Sequence, residues 1–588
     1  MSHSRKLWAV ISLLAVVAMI SAACAPAAAP ATQAPAPAAT QAPAPAKPTD
    51  APKPTDAPKP TDVPAPVVPP GNPLQYEAVR QAIAMGIDKQ AIVDKFYPTG
   101  SSVADFFTPC AIPGGCEGDP WYKYDLEAAK KALADAGYPN GFDIKLAYRD
   151  VVRGYLPQVS KVAEEIQAQL KKLGINATID VQESGTFLDN ASNGKLEIFL
   201  LGWGADYPDQ TNFLDAHFGK GANDSFGKKF DDITSVLIKA ASLADQAERN
   251  KLYAEANTLI KQHVPMIPVA HGGSATVFGA DVTGAHASPL GNEAFKVMEA
   301  PGKDVFVWVQ NAEPLSLYCA DETDGESLRA CEQIFDPLLS YKIGSTEVEA
   351  NIAELPTANA DLTEWTVKLQ EGVKFSDGTP LTAKDVVVSY AVQWDKNNAL
   401  HKGNTGNFDY WTYLFTAFLE VPPATATDTK YEAPNCDYGG LMKSIEAVDD
   451  TTVKFTLCAP DPAFPSKIAF SSLGIQSAAH LEKTGGAPLE DALGSGPYLV
   501  KEWVRGDSLT LEANPNYWGE PAKMKTVVFK WNSEAAARLT SLKSGEATGI
   551  DNPDPNDFDA IKGDSTLTLY PRVALNIMYI GLNNDVKP

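Results

Sequence analysis

From residue 77 onward the apolar positions switch between a helical spacing and a two-residue spacing. Residues 77–85 have helical periodicity, which continues through Asp88 to Ala91, Ile92 and Val93. Asp125 is placed to cap a helix over LEAAKKALADAG, and Gly137 closes it where glycine is favoured. Residues 142–148 alternate as a strand, 157–174 form a long amphipathic helix, and 177–181 read as another strand. Ile198, Phe199, Leu200 and Leu201 make a short apolar run with the length of a buried strand. This run leads into Gly202, Trp203 and Gly204, where glycine lets the backbone turn sharply and approach a ligand. Asp206 follows, then Pro208 and Asp209, and a helix is predicted to start at Asn212, Phe213 and Leu214. An aromatic, a carboxylate and flexible backbone at the C-terminal end of a strand suit a cleft-side site. Capping of the next helix is the other role open to Asp206 and Asp209.

Strand and helix alternate up to Leu201, which predicts a doubly wound α/β lobe. Helices over 230–241 and 245–263 close it ahead of residues 264–269. The second half begins near 304–309 and carries more strand pattern, at 365–369 and 452–457. Helices fall at 383–395 and 533–544, so this half reads as α+β with a mixed sheet.

The N-terminus has a different pattern. Arg5 and Lys6 precede an apolar run over 7–23 that ends in small residues and Cys24, the order of a secretory signal. Ser21-Ala22-Ala23-Cys24 resembles a bacterial lipobox, in which the cysteine is lipidated; Ile20 sits one place further out than the usual aliphatic residue. A signal anchor is the alternative. Residues 25–70 are rich in Ala, Pro, Thr and Gln and include a KPTDAP repeat with Lys47, Lys53 and Lys59 in phase. Such dense proline favours an extended polyproline II spacer, reaching on the order of 140 Å at most.

A net charge of −24 over 588 residues argues against nucleic acid, which needs clustered lysine and arginine. Apart from Cys24, the cysteines form sequence-local pairs, and in an oxidising compartment these predict Cys110–Cys116, Cys319–Cys331 and Cys436–Cys458 disulfides. No CxxC or Cys/His spacing supports a metal site instead. An exported hydrolase would need a nucleophile–base set or a metal motif, yet HExxH and GxSxG are missing. GKGANDSFGKK at 219–229 fails the phosphate-loop spacing. No catalytic residue, cofactor or metal is expected.

Several segments carry a family resemblance: FDPLLSY (335–341), LQEGVKFSDGTPLTAKDVVVSY (369–390), IEAVDDTTVKFTL (445–457), GSGPYLVKEW (494–503), NPNYWG (514–519) and AAARLTSLKSGE (535–546). VRQAIAMGIDKQAIV (79–93), AAKKALADAGYPNGFDIKL (128–146), IQAQLKKLGINATI (166–179) and LGWGADYPDQTNFLD (201–215) complete the set. Together they resemble the family 5 extracellular solute-binding proteins of ABC importers, which handle peptides and nickel. The implied fold is the α/β periplasmic-binding-protein type II (class C) fold, two lobes around a hinge with mixed sheets. The order of the segments is reversed relative to the family: those at 304–588 come first there, and those at 72–300 second. A circular permutation gives this order, as would a fusion of two half-proteins. The expected organisation is a lipoprotein signal at 1–24, a tether at 25–71, a ligand-binding lobe at 72–268 and a larger lobe at 269–588. Removing residues 575–588 is expected to loosen lobe closure without unfolding either lobe.

The resemblance also implies site roles. Asp206 matches the position that takes a peptide's amino terminus, and Arg153 the position that holds the carboxylate in dipeptide-binding members. Arg149, four residues away, competes for that role. As aromatics near a cleft, Trp203 and Tyr155 would supply flat apolar walls or belong to the core, Gly204 would let the backbone come close to the ligand, and Asp209 is left as a helix cap. The implied ligand is a short peptide, although members of this fold also bind oligosaccharides, opines, haem or nickel chelates. Nickel is disfavoured because the histidines are scattered and only His217 lies near the site. Implied partners are ABC transporter permease subunits and, through the lipid anchor, the outer face of the cell membrane, with the protein a monomer. Presentation of ligand to a sensor is an alternative to transport.

Overall fold

A computed structural model describes residues 69–150, 153–291 and 293–587. The signal predicted at 1–24, Cys24 and all but the last few residues of the predicted tether lie outside the described residues.

The first lobe starts with α1 (Glu77–Gly86), whose Val79, Ala82 and Ile83 face its core. The expected single helix through Val93 is two helices, because Asp88 caps a new one by accepting from the Ala91 amide. Five strands of the lobe's sheet follow in chain order: β1 (Ser102–Val103), β2 (Asp143–Arg149), β3 (Asn176–Gln182), β4 (Ile198–Gly204) and β5 (Met266–His271). Between β2 and β3, α2 (Val159–Lys172) buries Val162, Ala163, Ile166 and Leu170 along one stripe. Parallel pairing joins β2 to both β3 and β4, as the alternating pattern requires. After β4, α3 (Gln246–His263) ends on Val264, a β-branched residue with φ of 47°. The Arg80 guanidinium braces that end, donating to the carbonyls of His263 at 2.9 Å and Val264 at 3.1 Å.

The chain then crosses to the second lobe, where β6 (Ser274–Gly279) joins a seven-stranded mixed sheet. A separate six-stranded antiparallel sheet, with Thr452–Leu457 and Met442–Ala447 among its strands, carries α4 (Asp409–Phe415) and its neighbours on a second core. The return runs from β7 (Leu567–Arg572), at the edge of the seven-stranded sheet, to β8 (Asn576–Leu582).

That last strand lies in the first lobe. The sheet order is β1-β5-β8-β4-β2-β3, so β8 sits between β4 and β5, antiparallel to both. A cut at 268/269 therefore does not describe the lobes: β5 runs on to His271, and β8 belongs with it. Removal of residues 575–588 is therefore expected to unfold the first lobe rather than only loosen closure, since Ile577, Met578, Ile580 and Leu582 are buried on both faces of an inner strand.

Asn576 ties the two crossings together. Its amide donates to the Gly272 carbonyl at 2.7 Å, its Oδ1 accepts from the Gly272 amide at 2.7 Å, and its carbonyl faces His271 Nδ1 at 2.6 Å. Gly272 is obligatory, because a Cβ there would meet the Gly154 carbonyl oxygen at 2.2 Å. Beyond β8, Asn72 Nδ2 donates to the Asn583 carbonyl at 3.1 Å, which puts the start of this lobe beside the end of its last strand. The disulfides Cys110–Cys116, Cys319–Cys331 and Cys436–Cys458 are formed, as their sequence-local pairing predicts.

Candidate ligand site

The C-terminal ends of β2, β4 and β5 and the N-terminal end of β8 share the edge of the sheet where the chain crosses between lobes. Gly202 is the tightest point on β4. A Cβ there would lie 2.3 Å from Tyr155 Cδ2 and 2.4 Å from the Ile577 carbonyl, so only glycine lets the Tyr155 ring rest on the strand. Tyr97 donates to the Tyr155 carbonyl at 2.8 Å and fixes that ring's backbone. Arg149, at the end of β2, donates to Ser184 Oγ at 3.0 Å and lies 3.5 Å from the Tyr155 hydroxyl. Arg153 stands in an exposed turn closed by its own backbone pairing with Leu156. A Cβ on Gly204 would meet nothing within 4 Å, so the strand ends against open space.

Asn212 organises the turn after β4. It is 2% exposed. Its Oδ1 accepts from the Trp203 indole at 3.2 Å and from the Asp206 amide at 3.0 Å, while its Nδ2 donates to Asp206 Oδ2 at 2.9 Å. One amide side chain thus orients both an aromatic wall and a carboxylate. The helix predicted to begin at Asn212 starts later, at Leu214–Phe218, after a 3₁₀ turn over Gln210–Asn212.

The second lobe supplies the other side. Tyr410, on α4, donates its hydroxyl to Asp206, and Tyr413 sets its ring edge-on to Trp203 with centroids 6.1 Å apart. Burial pushes the Asp206 carboxyl up to about 6, and the hydrogen bonds from Asn212 and Tyr410 only partly oppose this. Asp209 has the opposite fate. Burial raises its pKa, but Arg249 outweighs that with two hydrogen bonds of 2.9 Å, leaving the carboxyl below its ordinary range. It also accepts from the Thr211 amide at 3.0 Å, so it caps the turn. His217 faces the Phe213 carbonyl with Nδ1 at 2.7 Å and packs edge-on to Trp203 at 5.2 Å; burial holds it down to about 4. Among the described residues no group of three or more His, Cys, Asp or Glu is arranged to hold a metal.

The family described as bacterial extracellular solute-binding proteins, family 5 Middle, matches residues 26–225 and 347–588, well over half of the chain. The chain belongs to that family. Solute binding rather than catalysis is the family's activity. Heme-binding protein A of Haemophilus influenzae is 32% identical over 234 residues, 39% of this chain and 43% of that protein. A dipeptide-binding protein of Escherichia coli K12 is 27% identical over 266 residues, 43% and 46% of the two chains. A solved periplasmic binding protein from Helicobacter pylori, DppA with peptide STSA, has 26% identity and a TM-score of 0.38 over 44% of this chain and 49% of that one. The chain thus spans about half the length of the curated relatives it matches.

Within this family 5 protein the structure brings Trp203, Gly204, Asp206 and Tyr155 to one sheet edge and sets Arg149 beside the Tyr155 hydroxyl. Asn212, Tyr410 and Tyr413 were not singled out in the sequence. An asparagine six places after a candidate aspartate, inside a turn, is a signal that Asn212 offers; the tyrosines lie in the other lobe and offer none.

Tyr207, next to Asp206, leaves its own lobe. Its side chain is 3% exposed and joins the core cluster of the second lobe, with Lys467 Nζ 5.5 Å from the ring centroid. Burial of this ring in the opposite core is expected to favour the closed arrangement of the lobes. Tyr207→Ala should shift the free protein toward an open form, raising the radius of gyration in small-angle scattering. An unchanged scattering curve would sink this role.

Proposed function

We propose that this chain captures short peptides between its lobes and delivers them to the permease of an ABC importer. The observation that carries this reading is Asp206: a half-buried carboxylate with a raised pKa, held by the two neutral donors Asn212 and Tyr410. A buried carboxylate held only by neutral groups gains most from an ammonium ligand, and a peptide's amino terminus is one. Trp203, Gly204 and Tyr155 would form the walls. Arg153 would take the peptide carboxylate, with Arg149, already at the Tyr155 hydroxyl, as the competing cation. The lobes would close on the ligand as a hinge.

The remaining parts of the reading rest on sequence. A lipid on Cys24 and the proline-rich spacer would hold the body outside the cell membrane as a monomer. Circular permutation would explain the segment order, and the adjacency of Asn72 and Asn583 supports it, since joining the ends of a lobe requires that they lie together. The lobes would then comprise about 72–271 with 576–583, and 274–572.

Asp206→Asn should weaken binding of a free-amine dipeptide by about 100-fold, the weight of a partly buried charge pair. The same substitution should cost N-acetylated dipeptides about tenfold less. Thermal shift against both ligand series reads the difference, because a ligand that binds the folded state stabilises it by RT ln(1 + [L]/Kd). Equal losses for the two series, or no stabilisation of the wild type by any di- to pentapeptide, would overturn the reading.

A further inference from the structure

The turn that carries Asp206 is backed by a loop closed by a disulfide. Gln210, two residues before Asn212, is 1% exposed, and its Nε2 donates to the Pro113 carbonyl at 3.3 Å. Pro113 lies inside the ring closed by Cys110 and Cys116, which are 6 residues apart. The next residue, Gly114, has φ of 74°, and a Cβ there would meet Gln210 Nε2 at 2.7 Å. The ring's backbone thus rests on the glutamine amide, at a position only glycine fills without strain. From Gln210 the contact passes into the site. The Phe213 amide donates to the Gln210 carbonyl at 3.0 Å, and Asn212, between them in the chain, holds the Trp203 indole and the Asp206 carboxylate.

Both ends of the loop are fixed without the disulfide. Ahead of it, Phe107 is 2% exposed and packs against Phe218 at 5.1 Å and Tyr579 at 5.4 Å. Beyond it, the Glu117 carbonyl accepts from Asn257 at 2.9 Å and the Glu117 side chain from Asn250 at 3.1 Å, both on α3. Freedom released by opening the ring is therefore confined to the stretch that touches Gln210. That stretch holds Gly114 and Gly115, and glycine has the widest backbone freedom once a constraint is lifted. Cys110 is exposed and Cys116 half-buried, whereas Cys319 and Cys331 are at most 1% exposed. Access decides which bridge an outside thiolate reaches first.

We propose that the Cys110–Cys116 ring is a redox-sensitive brace of the candidate ligand site, with Gln210 as the positioning residue that transmits it. A thiolate of an external dithiol attacks the Cys110 sulfur, and the Cys116 sulfur leaves and takes a proton. The dithiol's second thiol then displaces Cys110, so two electrons pass to two protein thiols and the dithiol departs as a disulfide. With the ring open, Pro113 and Gly114 no longer hold Gln210, and the turn through Asn212 loosens. A carboxylate that the ligand must first order binds it less tightly. That last consequence rests on the reading of Asp206 as the ligand anchor; the coupling of ring to turn does not.

The test uses the full chain without ligand, oxidised and after dithiothreitol under native conditions. Alkylation and mass analysis should find Cys110–Cys116 opened while Cys319–Cys331 stays closed. Hydrogen exchange over residues 206–213 should then speed up by at least about tenfold, with β8 unchanged. The same result in a chain carrying Cys436→Ala and Cys458→Ala excludes the second-lobe bridge as its source. Gln210→Ala should show the faster exchange with the disulfide intact, and reduction should add nothing to it. Exchange that ignores reduction, a rise that spreads to β8, or a further rise on reducing Gln210→Ala would each overturn the proposal. Dipeptide affinity of the oxidised chain is measured alongside: failure to bind overturns the reading of Asp206, while the exchange arms alone decide the brace.

Discussion

Deleting residues 575–588 should leave the first lobe unfolded while the second keeps its structure. The deletion removes β8, and with it Ile577, Met578, Ile580 and Leu582, all at most 1% exposed. At about 1.5–3 kcal/mol for each buried apolar side chain, the loss is on the order of 10 kcal/mol before any hydrogen bond is counted. The ladder is lost too, since β8 pairs with β4 along its whole length and with β5 from Met578 to Gly581. A domain is stable by only about 5–15 kcal/mol, so the lobe cannot carry this change. Limited proteolysis should release fragments from residues 72–271 and spare the second lobe. Hydrogen exchange that still protects β4 and β5 in the truncated chain would refute the assignment of β8 as an inner strand.

Glu293→Gln should destabilise the second lobe by about 3–5 kcal/mol, the cost of breaking a buried ion pair from one side. Glu293 is fully buried and accepts from Arg572 through Nε at 3.0 Å and Nη2 at 2.6 Å, and from Arg329 at 3.0 Å. Asp551 completes the cluster, 3.1 Å from Arg329 and 2.7 Å from Arg572, so two cations meet two anions. The substitution leaves two buried guanidiniums sharing one carboxylate. Burial raises the pKa of Glu293 and of Asp551, but in each the two arginines outweigh it and hold the carboxyl below its ordinary range. A depressed carboxylate pKa contributes stability that is complete above the unfolded value, about 4.3 for glutamate, and is lost as pH falls through the lower folded value. The urea midpoint of the wild type should therefore exceed that of the variant at pH 7 and converge toward it below about pH 4. A constant gap down to pH 2 would show that packing, not charge, made the difference.

Much of the first lobe was legible because its signals are local. The strand–helix alternation of residues 142–201 follows from side-chain periods of two and 3.6, and the observed β2, α2, β3 and β4 lie where those periods put them. Disulfides spanning 6, 12 and 22 residues are equally local. Pairing across the whole chain is not. Nothing in NIMYIGL distinguishes an inner strand of the first lobe from a strand of the second, because an apolar run states burial and not address. The same limit applies to the candidate site. Asp206 and Trp203 stand out beside their glycines, but Tyr410 and Tyr413 reach them only through the closure of two lobes about 200 residues apart in sequence. Tyr207 reads as a turn residue and becomes part of the opposite core for the same reason.

The place of β8 also sets the order of folding. His271 and Asn576 touch across 305 residues of chain, and the strand between β4 and β5 is missing until that whole interval has been made. Closing a loop of that size slows folding, because its entropy must be lost before the contact repays it. Until then β4 and β5 present unpaired edges to each other and to any neighbouring strand, the condition under which chains misassemble. The second lobe, complete within the interval, is free to fold first and bring β8 into the gap. Refolding should accordingly show the second lobe's signals ahead of the first's.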